Sequence, residues 1–381
     1  MPPLGLYVHV PFCASICNYC NFNRGLFDGA LKDRYVGAVL REIRRTGSEQ
    51  MDGDSPADAD TLFFGGGTPS LLEPREIGAI IAACRESFAL APGSEITIEA
   101  NPETVSVESL AALRECGVNR LSYGVQSFRD DELLRLERRH DSARARRAVV
   151  DARAAGFDNL SLDLMMWLPG QRVEDWEQSV AGLIETNPEH ASLYMLELYP
   201  NAPLREDMAR AGWSLAPDDD VANMYERAMT RLEAAGYEQY EISNVAKPGR
   251  RSRHNLKYWT DGEWLGFGPG AHSTRRGARW KNVSSTGDYA AQVESGRSVA
   301  REHRVLSPED RWQEALMTGL RLSAGVSLEI VRQDYGLDLQ ARYGHHLQSC
   351  VDAGLLTEDA GRLRLTRRGM LMANEVLAVF F

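Results

Sequence analysis

Three cysteines within eight residues, Cys13, Cys17 and Cys20, are the side chains best placed for chemistry in this sequence. Their spacing is Cys-x3-Cys-x2-Cys. Three thiolates bind three irons of a [4Fe–4S] cluster and leave the fourth iron without a protein ligand. An open iron accepts a small chelating molecule, whereas a fourth cysteine would close the cube. Zinc is the competing occupant, with a histidine such as His9 completing a tetrahedron. A zinc ribbon needs a second cysteine pair downstream, and Cys84, Cys116 and Cys350 stand alone. The spacing therefore favours the cluster. Six cysteines so unevenly placed do not form a disulfide framework, and the isolated three read as small buried apolar groups.

Further candidates sit at the ends of apolar segments. Gly65-Gly66-Gly67-Thr68-Pro69 follows TLFF (61–64), and glycines let a backbone approach a ligand closely. Glu99 ends ITIEA (96–100), Gln126 follows RLSYGV (120–125), and Asp163 lies inside LSLDL (160–164). Polar groups in apolar strands are costly without partners, so Gln126 and Asp163 point to a ligand or a network. With LYVHV (6–10) and SLYML (192–196) these make six short strands alternating with amphipathic helices. One helix carries Leu31, Tyr35, Val39, Leu40 and Ile43 at helical spacing, and another starts near Pro74. Strand-then-helix repeated six times implies an α/β fold with a parallel sheet. The reading is a partial (β/α)6 TIM-type barrel, with a doubly wound sheet as competitor. In either, the candidate residues fall at the carboxyl ends of strands, where such folds hold their active sites.

The character changes near residue 245, dividing the chain into 1–245 and 246–381. KPGRRSRHN is basic and rich in breakers. From Pro308 three helical patterns precede LLTEDAGRLRLT, a hairpin, which together describe a small α+β, winged-helix-like module. A net charge of -11 and the lack of a strong basic recognition helix favour packing or docking over nucleic-acid binding. No apolar run approaches the roughly 18 residues of a membrane span. MPPLGLYVHVPF lacks the basic start of a signal peptide, so a cytoplasmic location is expected.

Tyr7-Val8-His9-Val10-Pro11-Phe12-Cys13, continued through Cys17 and Cys20, resembles the radical S-adenosylmethionine (SAM) superfamily. More narrowly, it resembles the branch that contains oxygen-independent coproporphyrinogen III oxidase and the heme chaperones, and the resemblance covers nearly the whole chain. In that family SAM chelates the open iron, and one electron from the cluster cleaves it to a 5′-deoxyadenosyl radical. The resemblance places Gly66, Gly67 and Thr68 at the SAM methionyl group. It puts Glu99, Gln126 and Asp163 in contact with SAM, and Tyr7, Tyr19 and Arg138 near it. It leaves open whether SAM is turned over and whether a second SAM is bound.

Two features separate the branches. Oxidases carry a further cysteine two residues beyond the third, where this chain has Phe22. His254-Asn255-Leu256-Lys257-Tyr258-Trp259 fits the H-N-x-x-Y-W signature of the heme chaperones. A neutral imidazole can ligate heme iron, and Tyr258 and Trp259 offer flat faces to a macrocycle. Arg250, Arg251 and Arg253 are candidates to meet propionates. His272, in Gly268-Pro269-Gly270-Ala271-His272-Ser273, also falls in a family-like segment, at the SAM pocket or beside the porphyrin, and both remain open. The resemblance thus implies a heme chaperone with a [4Fe–4S] cluster, SAM, heme as cargo, client heme proteins and an electron donor, with a homodimer left open. The alternative is a radical enzyme that oxidatively decarboxylates porphyrinogen propionates.

Overall fold

All six apolar segments fold as strands of one sheet: β1 (Leu4–Val10), β2 (Asp58–Gly66), β3 (Ala89–Ala100), β4 (Arg120–Gln126), β5 (Leu160–Met166) and β6 (His190–Met195). Each pairs with the next in parallel. The computed structural model describes residues 2–51, 53 and 55–380. Helices return the chain between strands. The Gly29–Glu49 helix starts where the Asp28 carboxylate accepts from Leu31 N, and it buries Tyr35, Ala38, Val39 and Ile43. The Pro74–Ser87 helix opens with proline in its first turn and a Glu73/Glu76 capping box, and it buries Ile77, Ile80 and Ile81. These faces pack on the outward residues of the strands, among them Leu62, Phe64, Ile96, Ile98, Leu121, Leu160 and Leu162.

The inward residues are different. A closed barrel fills its centre with layers of branched apolar side chains. Here Glu99, Arg120, Ser122, Ser161, Asp163 and Ser192 turn inward, and register sets Asp163 beside Gly124 on one side and Ser192 on the other. Side chains from all six strands line one cavity of about 290 Å³. In a flat sheet β1 and β6 would lie five strand spacings apart, roughly 24 Å. Sharing one small cavity requires the sheet to curl, which makes it a partial barrel rather than a doubly wound sheet.

Among the described residues the two edges of the sheet do not pair with each other. β7 (Glu238–Glu241) and β8 (Asn244–Ala246) form a hairpin whose second strand lies antiparallel on β6. At the opposite edge β9 (Trp264–Phe267) runs parallel to β1. The antiparallel strands β10 (His272–Arg275), β11 (Ala278–Asn282) and β12 (Ala300–Val305) follow outward from it. The sheet therefore has twelve strands and draws on both sides of residue 245. The Pro308–Gly319, Leu328–Tyr335 and Leu339–Asp352 helices precede the Leu356–Asp359/Arg362–Leu365 hairpin, to which Val326–Ser327 adds a third strand. Among the described residues no helix is long and apolar enough to cross a membrane.

Candidate functional site

The three-cysteine loop is pinned at both ends. Phe12–Cys13 pairs in parallel with Gly25–Leu26, and Phe27 N donates to Cys13 O at 2.9 Å. Between them, the Asn18 amide donates to Arg135 O and to Asp207 Oδ2, while Leu204 N donates to Asn18 O. Asn23 ties the far side to Pro269 O and Ser284 O. Cys13 is buried, Cys17 and Cys20 are partly exposed, and none is in a disulfide.

A chain of hydrogen bonds joins two of the thiols across three strand ends. Thr68 Oγ1 donates to Cys13 Sγ at 3.7 Å, and the Asn101 amide donates to Thr68 Oγ1 at 3.1 Å. Arg138 Nη2 donates to Asn101 Oδ1 at 2.6 Å and to Gly124 O at 2.7 Å, while Nη1 reaches Cys17 Sγ at 3.5 Å. Burial raises the Cys13 thiol, and the Thr68 hydrogen bond opposes that rise. Burial works against the Arg138 charge, but Tyr19, Cys17 and Glu103 hold it on the guanidinium. A permanent cation beside the cysteine loop would offset the negative charge of a thiolate-bound metal centre.

These residues fit an iron–sulfur cube. The donor set is three thiols, one with a cation beside it and one with a hydroxyl donor. Zinc fits less well. His9, its candidate fourth ligand, has both ring nitrogens engaged, one with the Tyr7 hydroxyl at 3.0 Å and one with Asn23 O at 2.7 Å. Among the described residues no three His, Cys, Asp or Glu side chains are gathered closely enough to hold a single metal ion. A cube spreads its three thiolates over three irons and does not need that convergence.

The glycine run lies against the cysteine strand. Gly67 N donates to Val10 O and Thr68 N to Phe12 O. A Cβ at Gly66, whose φ is +114°, would stand 2.6 Å from the His9 ring, and one at Gly67 would stand 2.6 Å from Phe12 O. Gly66 N donates to Glu99 Oε2 at 3.1 Å. Gln126 takes φ +68°, rare for a residue with a side chain, and its Oε1 is buried with no hydrogen-bond partner. An orphaned buried acceptor suits a ligand that carries hydrogen-bond donors, and SAM, with an amino group and hydroxyls, is such a molecule. Burial, then Asp163, raises the Glu99 carboxyl to about 8. Burial raises Asp163 to about 6 against a hydrogen bond from Ser192. Tyr7 lines the same cavity, while Tyr19 sits beside Arg138 and the cysteines.

The His254 segment, at the end of the breaker-rich stretch, is helical: the Arg253–Trp259 helix is capped by the Ser252 hydroxyl and by Glu95, whose carboxylate accepts from Arg253 N and His254 N, both at 3.0 Å. Its contacts with Pro3, Asp60, Thr61 and Glu95 seat the helix against the amino-terminal parts of β1, β2 and β3, at that end of the barrel. His254 is fully buried: Nδ1 meets Thr61 Oγ1 at 2.8 Å and Nε2 meets the Tyr258 hydroxyl at 2.9 Å. Burial lowers its pKa to about 3, so the ring is neutral, but neither nitrogen is offered to a ligand in this conformation. Arg250, Arg251 and Arg253 pair with Asp158, Glu238 and Asp60 on the outside. Tyr258 and Trp259 do face space: both line the barrel cavity and a neighbouring one of about 310 Å³. His272 is exposed and lines this second cavity together with a third, of about 430 Å³, that also includes Asn21, Phe22 and Asn23 of the cysteine loop.

Comparison with known proteins places this geometry in a family. Residues 7–181 match the radical SAM superfamily model, and residues 306–372 match the HemN C-terminal domain. Along its length the chain is 36% identical to heme chaperone HemW of Bacillus subtilis, covering 98% of each protein. The chain belongs to the HemW family of radical SAM proteins. HemW of Escherichia coli is 34% identical over 100% of this chain and 98% of its own. The mouse mitochondrial protein named radical S-adenosyl methionine domain-containing protein 1 is 35% identical over 98% of this chain and 86% of its own. Among solved structures, E. coli coproporphyrinogen III oxidase (HemN) superimposes with a TM-score of 0.86 over 99% of this chain and 90% of that one. At 23% identity that likeness shows the fold.

Sequence reasoning missed three members of the site in this HemW-family chain. Asn101, one residue past the ITIEA segment, bridges Thr68 and Arg138. Arg120 is a fully buried cation in the barrel wall, and an arginine opening an apolar strand was the signal for it. Tyr194 lines the cavity from β6 with no signal beyond its strand position.

Proposed function

We propose that this protein binds heme and passes it to client apo-proteins, with a [4Fe–4S] cluster on Cys13, Cys17 and Cys20. SAM would be held by Gly66, Gly67, Thr68, Glu99, Gln126 and Asp163. The observation that carries this reading is the full-length kinship with proteins named heme chaperones. Phe22 supports it: the side chain is 69% exposed at the position where the oxidase pattern places a further cysteine. When bound and reduced, the cluster supplies an electron to SAM, and an external donor must refill it. This chain's own part is to hold one thiol beside a permanent cation, to present an acidic wall to a cationic ligand, and to keep aromatic space open near the cysteine loop. A cytoplasmic location accords with this role.

Two assays on anaerobically prepared protein test it. Hemin titration is expected to saturate at a fixed stoichiometry, and incubation with coproporphyrinogen III, SAM and a reductant is expected to yield no protoporphyrinogen. Failure to bind hemin, or decarboxylation of the porphyrinogen, would overturn the reading in favour of a radical oxidase.

A further inference from the structure

We propose that the heme iron is ligated by His272, in the opening between the cysteine loop and the β9–β10 turn. Lys281 would meet a propionate there, and Phe22 and Trp264 would flank the macrocycle. This rests on the heme-binding reading above and names its site.

The eight histidines narrow the choice. His9, His140, His190 and His254 each have both ring nitrogens within hydrogen-bonding reach of protein groups: Tyr7 and Asn23, Glu103 and Val125, Ser161 and Tyr240, Thr61 and Tyr258. Coordinating iron through any of them would break a hydrogen bond and leave its partner unsatisfied. His345 and His346 pack ring against ring on the exposed Leu339–Asp352 helix and line none of the cavities described here. His303 stacks on Trp280 beside a cavity of about 200 Å³, below the size range of cofactor sites. His272 remains. Its ring makes no hydrogen bond among the described residues, and it stands at the border of two cavities of about 310 and 430 Å³ that share Tyr258 and Trp264. Together they reach the size range of small-molecule and cofactor sites.

The surroundings match the chemistry of a porphyrin. Partial burial, then Lys281, lowers the His272 pKa, which leaves the neutral imidazole that coordinates iron. Lys281 is the cross-strand partner of His272 and lines the same cavity, and it forms no ion pair among the described residues. Arg279, two residues away on β11, lies over the Trp264 ring and is already paired with Glu314, which lines the smaller cavity together with Asp261, so the Lys281 side is the end that suits a propionate. Trp264 is fixed edge-on to Tyr258, with ring centroids 4.7 Å apart, and its indole N–H donates to His272 O. The exposed Phe22 ring completes the rim.

Hemin titration of the full chain, followed by absorbance and by EPR of the ferric complex, tests the assignment. The parent is expected to show an imidazole-ligated spectrum. His272→Ala should lose it and weaken affinity roughly tenfold or more, as removal of a metal ligand does. His272→Gly should regain it when free imidazole is added. Lys281→Ala should weaken binding while keeping the ligation spectrum, and His303→Ala should change neither. An unchanged spectrum and affinity in His272→Ala would overturn the assignment while leaving heme binding intact. So would a His272→Ala variant that binds hemin normally but SAM poorly. A parent chain that binds no hemin would overturn both this site and the reading beneath it.

Discussion

At the scale of single residues, the chemistry depends on how this chain controls charge around three thiols and two carboxyls. Cys17→Ala is expected to abolish the visible absorbance of a reconstituted cluster while leaving the far-ultraviolet dichroism intact, because the apolar core does not depend on that loop. Arg138→Gln removes the cation beside Cys17 and disturbs Asn101 and Gly124 with it. Iron incorporation after reconstitution should fall several-fold and loss of the cluster in air should speed up; a variant indistinguishable from the parent would show that the guanidinium plays no part. Glu99 and Asp163 bind protons more tightly in the folded chain, at about 8 and about 6, than at their ordinary values of 4.5 and 3.8. The folded state therefore loses stability as pH climbs from about 4 to 8. Without SAM, Tm should decline across that window, and Glu99→Gln should flatten the decline; a Tm that rises with pH would contradict the burial argument. That the cysteines, the glycine run and Glu99 gather at strand ends could be read from the sequence; the roles given them come from the family resemblance. The state of His254 could not, because its ligand-like motif and its burial in a hydrogen-bonded helix are compatible with the same six letters.

At the scale of elements, the site depends on strands held at a close and fixed separation. Gly67 allows β2 to lie against the cysteine strand, where a Cβ would stand 2.6 Å from Phe12 O. Gly67→Ala is expected to cost about 1–3 kcal/mol in chemical denaturation and to impair cluster assembly; normal stability with a normal cluster would contradict this. The Arg253–Trp259 helix is held at its end of the barrel by Glu95, whose two oxygens accept two backbone N–H groups. Glu95→Ala should leave those donors unsatisfied, at about 1–3 kcal/mol, and should open the lumen to water, read as faster hydrogen exchange at residues 253–259. All six strands were legible in the sequence, because apolar runs alternating with helical periodicity leave few other folds. The polar lining of the barrel was less so. LSLDL and RLSYGV read as buried on both faces, and only register shows that Ser122, Ser161 and Asp163 share an inward side. The parallel pairing of β9 with β1, more than 250 residues apart in sequence, leaves no local trace.

At the scale of the whole molecule, one twelve-stranded sheet carries the cysteine loop, the acidic lumen and the open space around His272 within neighbouring strands. On the function proposed above, cluster and cargo would lie close together, since the two cavities share Tyr7 and Tyr258 and the one beside His272 also reaches Asn21, Phe22 and Asn23 of the cysteine loop. Cluster, SAM site and kinship in chemistry all depend on three sulfur ligands gripping a four-iron cube. Non-heme iron and acid-labile sulfide, determined per chain on one anaerobically prepared sample, test it most directly. The expected result is about four of each, falling to near zero when any of Cys13, Cys17 or Cys20 is replaced by alanine. Zinc in place of iron, with no labile sulfide, would contradict it.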